Sequence, residues 1–388
     1  MKPRKFIGYG RQSIDDDDKA AVLAALDSDF LTQGPAVERF EEAFAAKVGA
    51  RHAIAVASGT AALHLTCLAG GLGPGDKAVT SDITFLASAN APKYCGSDIR
   101  FADVDSETVC INQDTLNKAL QGERVKAVIP VHFAGLPVPL AALQGMADLV
   151  IEDAAHALGA VQSDGKPVGS CSHSDMAIFS FHPVKAITTA EGGMVTTNCD
   201  DLADRVRMLR NHGIERDAGK FVSFRSGASG PWCYEQHFLG FNYRMTDIQA
   251  ALGLSQLKKL DGFIARRKQI VEQYDIAFKD VPWIEPIQTN DENRKRSGHH
   301  LFVARFDFET IKSSRKELMA SLRERGIGTQ VHYIPLHLQP FHKESCEGQI
   351  FGNAASYYER CLSLPLFPGM TEQDVAYVIE NTITLTEC

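Results

Sequence analysis

From residue 53 onward the chain alternates short apolar runs with stretches of helical spacing, and this alternation constrains the fold more than any other feature. The runs are "AIAVA", "KAVTS", "IRFADV", "KAVIPVHF" and "DLVIED", with helical candidates such as "GTAALHLTCLAGG" and "LASANAPKYCG" between them. Continuous apolar strands alternating with helices predict a mostly parallel sheet covered on both faces. "MAIFSF" and "GGMVTTN" add two further strands. The long helical stretch "MTDIQAALGLSQLKKLDGFIARRKQIVEQYDIAF" follows, and then the polar "QTNDENRKRSGHH", read as an exposed loop. Beyond it, "LFVARFDF", "RKELMASLRERGI" and "TQVHYIPLH" predict a small α+β unit. The expected architecture is α/β. An N-terminal arm and large domain occupy residues 1–250, and a linking helix and small C-terminal domain occupy 251–388.

Charge and cysteine usage narrow the function classes. A net charge of −8 argues against broad attraction to nucleic acid or to an anionic membrane surface. Nine cysteines without a CxxC pair suggest neither a disulfide framework nor a zinc site, and predict a reducing, cytoplasmic setting without a bound metal. The start "MKPRKFIGYG" lacks the apolar core of a signal peptide. In "RQSIDDDDKAAVLAALDSDF", Ser13 or Asp15 can cap a helix. "DDDDK" also matches a protease-cleavage tag, but the acids run straight into "AAVLAAL", which favours a native helix start. Such a run of like charge reads as a solvated face.

Three features carry chemistry. Asp153 ends the strand "DLVIED", at the edge where ligands bind in parallel sheets. Ser58, Gly59 and Thr60 lie between a strand and a helix, where free N–H groups and small hydroxyls can seat a phosphate. Each could equally be an ordinary helix cap. "GGLGPGD" is glycine-rich but lacks the dinucleotide fingerprint, and no GxxxxGK[ST] occurs. The third feature is Lys185 in "SFHPVKAITTAEGG", one long cation among small residues straight after a strand. A phosphate seat, a strand-end carboxylate and a lysine are the partners that pyridoxal 5′-phosphate requires for its phosphate, ring nitrogen and aldehyde.

The chain also resembles the DegT/DnrJ/EryC1/StrS sugar aminotransferases, of the fold-type I (aspartate aminotransferase-like) architecture. The segments that carry the resemblance are "FLTQGPAVERFE", "ASGTAALHL", "ITFLASANA", "EDAAHALGA", "SFHPVKAITTAEGG", "FNYRMTDIQAALGLSQL" and "VHYIPLH". The resemblance implies that Lys185 is the Schiff-base lysine and Asp153 the partner of the ring nitrogen. It implies Gly59, Thr60 and Ser180 at the phosphate, Phe85 stacked on the ring, and His156 near the ring hydroxyl. Asn242 would reach the cofactor of a neighbouring subunit, which makes a homodimer with shared sites. Ala190 departs from the family, which most often has glycine there. Some members carry histidine in place of the lysine and act as dehydratases; Lys185 favours transamination.

Within the family, "YGRQSI", "SDFLTQGP", "WCYEQHFLGFNYRMTDIQAALGLSQLKKLD" and "HYIPLHLQP" are similar to the aminotransferases of pseudaminic acid biosynthesis. This implies amino transfer from L-glutamate to the C4 ketone of a UDP-linked 2-acetamido-2,6-dideoxy-4-hexulose, with Tyr243, Arg244, His332, Tyr333 and His337 as candidate substrate contacts. The competing readings are a GDP-perosamine synthase, an NAD-dependent oxidoreductase, and a non-catalytic regulator of the same fold.

Overall fold

The computed structural model describes residues 6–223, 230–346 and 348–387. Helices α1 (Asp16–Leu26) and α2 (Pro35–Val48) lead into strand β1 (His52–Val56) and helix α3 (Gly59–Ala69). Then come β2 (Lys77–Ser81), α4 (Leu86–Tyr94), β3 (Asp98–Ala102), α5 (Gln113–Leu120), β4 (Val125–Ile129), β5 (Ala147–Asp153), β6 (Met176–Ser180), β7 (Gly193–Thr197) and α6 (Asp200–Arg210). The strands form one seven-stranded sheet in the order β1-β7-β6-β5-β4-β2-β3. Only β7 pairs antiparallel with its neighbours, β1 and β6, so six strands share one direction. Each of the apolar runs read as a strand is one. Side chains alternate across the sheet: Ile54 and Val56 of β1 join the core under α3, whereas Ala53 and Ala55 face Phe40 and Phe44 of α2.

The short pair β8 (Ile214–Glu215) and β9 (Glu235–Gln236) precedes α7 (Asp247–Leu257) and α8 (Leu260–Phe278). The long helical stretch is thus two helices, parted at Lys258–Lys259, and residues 250 and 251 both lie inside α7. The remainder comprises β10 (Ile284–Pro286), α9 (Asp291–Arg296), β11 (Phe302–Phe306), α10 (Arg315–Glu324), α11 (Gly352–Arg360), β12 (Cys361–Leu364) and α12 (Glu372–Thr386). Strands β10, β11 and β12 make a small antiparallel sheet with its own core, which also takes in Ile7 from the start of the chain.

Two sequence expectations are corrected. "QTNDENRKRSGHH" is not an exposed loop. Asn290 caps α9, which has acids in its first turn and bases in its last, complementing the helix dipole, and His299 and His300 beyond it are buried. The acidic run near the N-terminus is not only a solvated face. Asp15 caps α1, but Asp18 is fully buried, accepting from Ser255 Oγ (2.7 Å) and Gln256 Nε2 (2.7 Å) and pairing with Lys259 (2.8 Å). A carboxylate buried among these donors and the Asp15 N–H is built into the fold, which supports the native reading of "DDDDK". No helix of the described residues is long and apolar enough to cross a membrane, and every described cysteine is unpaired.

Candidate active site

A cavity of about 650 Å³ opens where the parallel strands end. Asp153 closes β5, Ser180 closes β6, and Ser58 follows β1 into α3. Because β7 runs the other way, its first residue, Gly193, meets them at the same edge. The start of α3 fits very closely there. A Cβ on Gly59 would lie 2.9 Å from the Ser180 Cβ, and one on Gly193 would lie 2.5 Å from the Ser58 carbonyl oxygen. The Ser58 hydroxyl accepts from the Ala61 N–H at 3.1 Å, so Ser58 is the helix cap. Gly59 and Thr60 are the first helical residues, whose N–H groups have no acceptor within the helix. Both line the cavity together with Ser180, forming a small-residue cradle at a helix N-terminus of the kind that seats an anion.

Lys185 lines the same cavity. Burial pushes its ammonium down to about 8, against the opposing pull of the Asp153 carboxylate. Asp153 is itself buried, accepting from Ser88 Oγ at 2.6 Å and from the Ala155 N–H at 3.1 Å. His156 lies one step further on. Its Nε2 is 3.2 Å from the Tyr333 hydroxyl, and its Nδ1 is buried with no partner. Burial, then the nearby Lys185, holds this imidazole well below the usual range, so it is neutral. Phe85, the cap residue of α4, stands exposed at the mouth with its ring 6.1 Å from that of Tyr333. His332 also faces the cavity; burial and Lys185 push it down to about 3, and its Nδ1 meets Ser363 Oγ at 2.8 Å.

The cavity therefore gathers Gly59, Thr60, Phe85, Asp153, His156, Ser180, Lys185, His332 and Tyr333. Four other candidates lie outside its wall. Asn242 and Arg244 belong to a segment that bridges to Asn211 and to Val56, the last residue of β1. Arg244 donates to Asn211 Oδ1 at 2.7 Å, and Tyr243 stacks on Phe241 with ring centroids 4.9 Å apart. His337 is held by the buried Asp82, 2.6 Å from its Nδ1, and stacks on Phe351. That contact anchors the "HYIPLH" segment to the end of β2, so Tyr333 is placed over the cavity.

Sequence reasoning missed His300, Tyr9 and Ser88. His300 lines the cavity, its ring 4.4 Å from that of His156. The buried Arg267 holds the carbonyls of His300 (3.2 Å) and Leu366 (2.8 Å), and the Leu366 N–H in turn donates to the Tyr9 carbonyl (3.0 Å). The paired histidines ahead of an apolar strand were the available signal for His300. "IGYG" and "LASANA" carry none for the other two.

Pyridoxal 5′-phosphate fits these residues: a cradle that a single Cβ would fill, a buried carboxylate, a lysine of lowered basicity, and an orphaned imidazole nitrogen in one cavity. Solved relatives agree. The chain superimposes on Helicobacter pylori PseC, an aminotransferase involved in pseudoaminic acid biosynthesis, with a TM-score of 0.89 and 31% identity over 98% of this chain and 99% of that one. It matches the pyridoxal-phosphate form of the putative sugar aminotransferase Spr1654 from Streptococcus pneumoniae with a TM-score of 0.87 and 27% identity, covering 98% of each. Fold and site thus define a pyridoxal-phosphate-dependent sugar aminotransferase, with the fold-type I arrangement expected. The chain belongs to the DegT/DnrJ/EryC1/StrS aminotransferase family, whose model matches residues 12–382. It is also 40% identical to the spore coat polysaccharide biosynthesis protein SpsC of Bacillus subtilis (strain 168), over 98% of this chain and 97% of that protein.

Proposed function

We propose that this enzyme moves the amino group of L-glutamate to the C4 ketone of UDP-2-acetamido-2,6-dideoxy-β-L-arabino-4-hexulose, giving UDP-4-amino-4,6-dideoxy-N-acetyl-β-L-altrosamine. Likeness to PseC along nearly the whole chain supports the substrate. The observation that carries the chemistry is the buried Lys185, pushed down to about 8 and facing Asp153.

When bound, pyridoxal 5′-phosphate stores the amino group between the two half-reactions and draws electrons from the carbon that loses its proton. Lys185 Nζ, neutral in an appreciable fraction near pH 8, takes the proton from the donor's α-carbon and later delivers one to C4 of the sugar. Asp153 keeps the proton on the ring nitrogen. The Gly59 and Thr60 N–H groups and the Ser180 hydroxyl hold the phosphate, Phe85 covers the ring, and His156 lies beside the ring oxygen. His332 and Tyr333 face the sugar.

The site is shared between two copies of the chain in this reading. Among the described residues lining the cavity, Lys185 is the only lysine or arginine. A donor with two carboxylates and a nucleotide diphosphate both need further cations or donors. Asn242, Tyr243 and Arg244 do not line their own chain's cavity, which supports the reading that Asn242 serves a neighbour's. The unpaired cysteines support a reducing, cytoplasmic location.

The test loads the enzyme with the amino group from glutamate and mixes it with each of two ketosugars in single turnover. The UDP sugar should restore the yellow absorbance faster than GDP-4-keto-6-deoxymannose. A pocket partner left unpaired by the missing acetamido group predicts a roughly ten- to hundredfold preference. Faster return with the GDP sugar overturns the substrate and leaves the class standing.

A further inference from the structure

The Asp153 carboxylate is held by a hydrogen-bond chain whose direction can be worked out. Ser88 Oγ lies 2.6 Å from Asp153 Oδ2, and Thr84 Oγ1 lies 2.9 Å from Ser88 Oγ. A carboxylate only accepts, so Ser88 gives its single hydroxyl hydrogen to Asp153. Thr84 must therefore donate to Ser88. The first contact has the length of a charge-assisted O–H···O⁻ bond. Ser88 and Thr84 are both buried, with 0% and 2% of their surface exposed.

We propose that Ser88, backed by Thr84, is a positioning residue for Asp153, fixing the carboxylate's orientation toward the cofactor's ring nitrogen. This rests on the assignment of Asp153 to that nitrogen. The Ala155 N–H, at 3.1 Å, steadies only Oδ1. Ser88 steadies Oδ2, so both carboxylate oxygens are fixed in place. Ser88 also lies in the first turn of α4, whose cap residue is Phe85. One helix turn thus sets both the ring's face contact and the partner of its nitrogen.

The test uses Ser88→Ala, Ser88→Cys, Thr84→Val and Asp153→Asn. Cysteine keeps the shape of serine with a somewhat larger atom and donates weakly, so one serine variant remains informative if the other fails to fold; melting of the cofactor-free proteins checks this. Losing a hydrogen bond to a charged group predicts roughly ten- to hundredfold weaker pyridoxal phosphate binding and a similar fall in kcat in both serine variants. KM for glutamate should stay unchanged, which general damage to the cavity would not allow. Thr84→Val should cost only a fewfold. Serine variants with wild-type affinity and kcat, beside a crippled Asp153→Asn, overturn the role of Ser88 alone. An Asp153→Asn enzyme of normal turnover overturns the ring-nitrogen assignment, and the role of Ser88 with it.

Discussion

A lysine driven down to about 8 by its surroundings changes the stability of the cofactor-free protein with pH. An unfolded lysine titrates near 10.4. Between about 8 and 10.4 the unfolded chain binds more protons than the folded one, so stability rises with pH across that window. Below it, the full penalty of up to about 3 kcal/mol applies. Lys185→Met should remove this rising limb; urea titrations of both cofactor-free proteins at pH 7.5 and 10 would show a smaller gain in the variant. Ala190 supplies a second prediction. Its φ of 67° lies in the left-handed region, where glycine carries no steric penalty. Its N–H donates to Thr188 Oγ1 at 3.0 Å, which helps to hold the turn. Relieving about 1–2 kcal/mol of strain, less glycine's extra freedom in the unfolded chain, should leave Ala190→Gly about 0.5–1 kcal/mol more stable. Its melting midpoint should rise by about 1–2 °C. Ala190 was legible as an exception, but its strain was not, because a dihedral angle leaves no mark on composition.

At the scale of elements, the start of α3 is the least forgiving part of the site. A Cβ on Gly59 would press on Ser180, so Gly59→Ala must displace either the helix start or the end of β6. Cofactor affinity should fall by roughly tenfold or more, as expected when a phosphate loses one well-aligned donor. Equilibrium dialysis checks this, and unchanged affinity would remove α3 from the phosphate site. The strands of the large sheet were legible because buried parallel strands are continuous apolar runs bounded by turns. Helix α9 was not, since "DENRKR" has no apolar face and is set by the Asn290 cap and charges matched to its ends. Ser88 was equally hidden: "LASANA" reads as small residues for close helix packing, and only the approach of α4 to the end of β5 reveals a donor aimed at a carboxylate.

At the scale of the whole molecule, the large exposed side chains Trp232, Tyr234, Phe238 and Leu239 lie on the stretch that precedes Asn242. They are apolar surface of the kind a second copy would cover. Mixing Asn242→Ala with Lys185→Ala subunits should restore part of the activity that each alone lacks. In a mixed dimer with shared sites, one site carries both lesions and the other carries neither. No recovery after subunit exchange, verified by differently tagged chains, would place Asn242 outside the partner's site. The order of the strands was not legible in the sequence, nor was the arm's return to the small sheet through Ile7, because both depend on contacts between distant segments.

The reversed direction of β7 has a kinetic consequence. It lets residues 181–192 join β6 to its neighbour at one edge of the sheet, without a crossover. This is the shortest link between any two paired strands of the large sheet. Short links form first, because little loop entropy must be lost before the strands zip together. The β6–β7 hairpin, with Lys185 in its loop, should therefore gain amide protection in pulse-labelled refolding before β1, which must wait for a partner more than a hundred residues away. On that order Lys185 is seated early, and the cradle at the start of α3 closes later, when β1 docks and brings the start of α3 against Gly193.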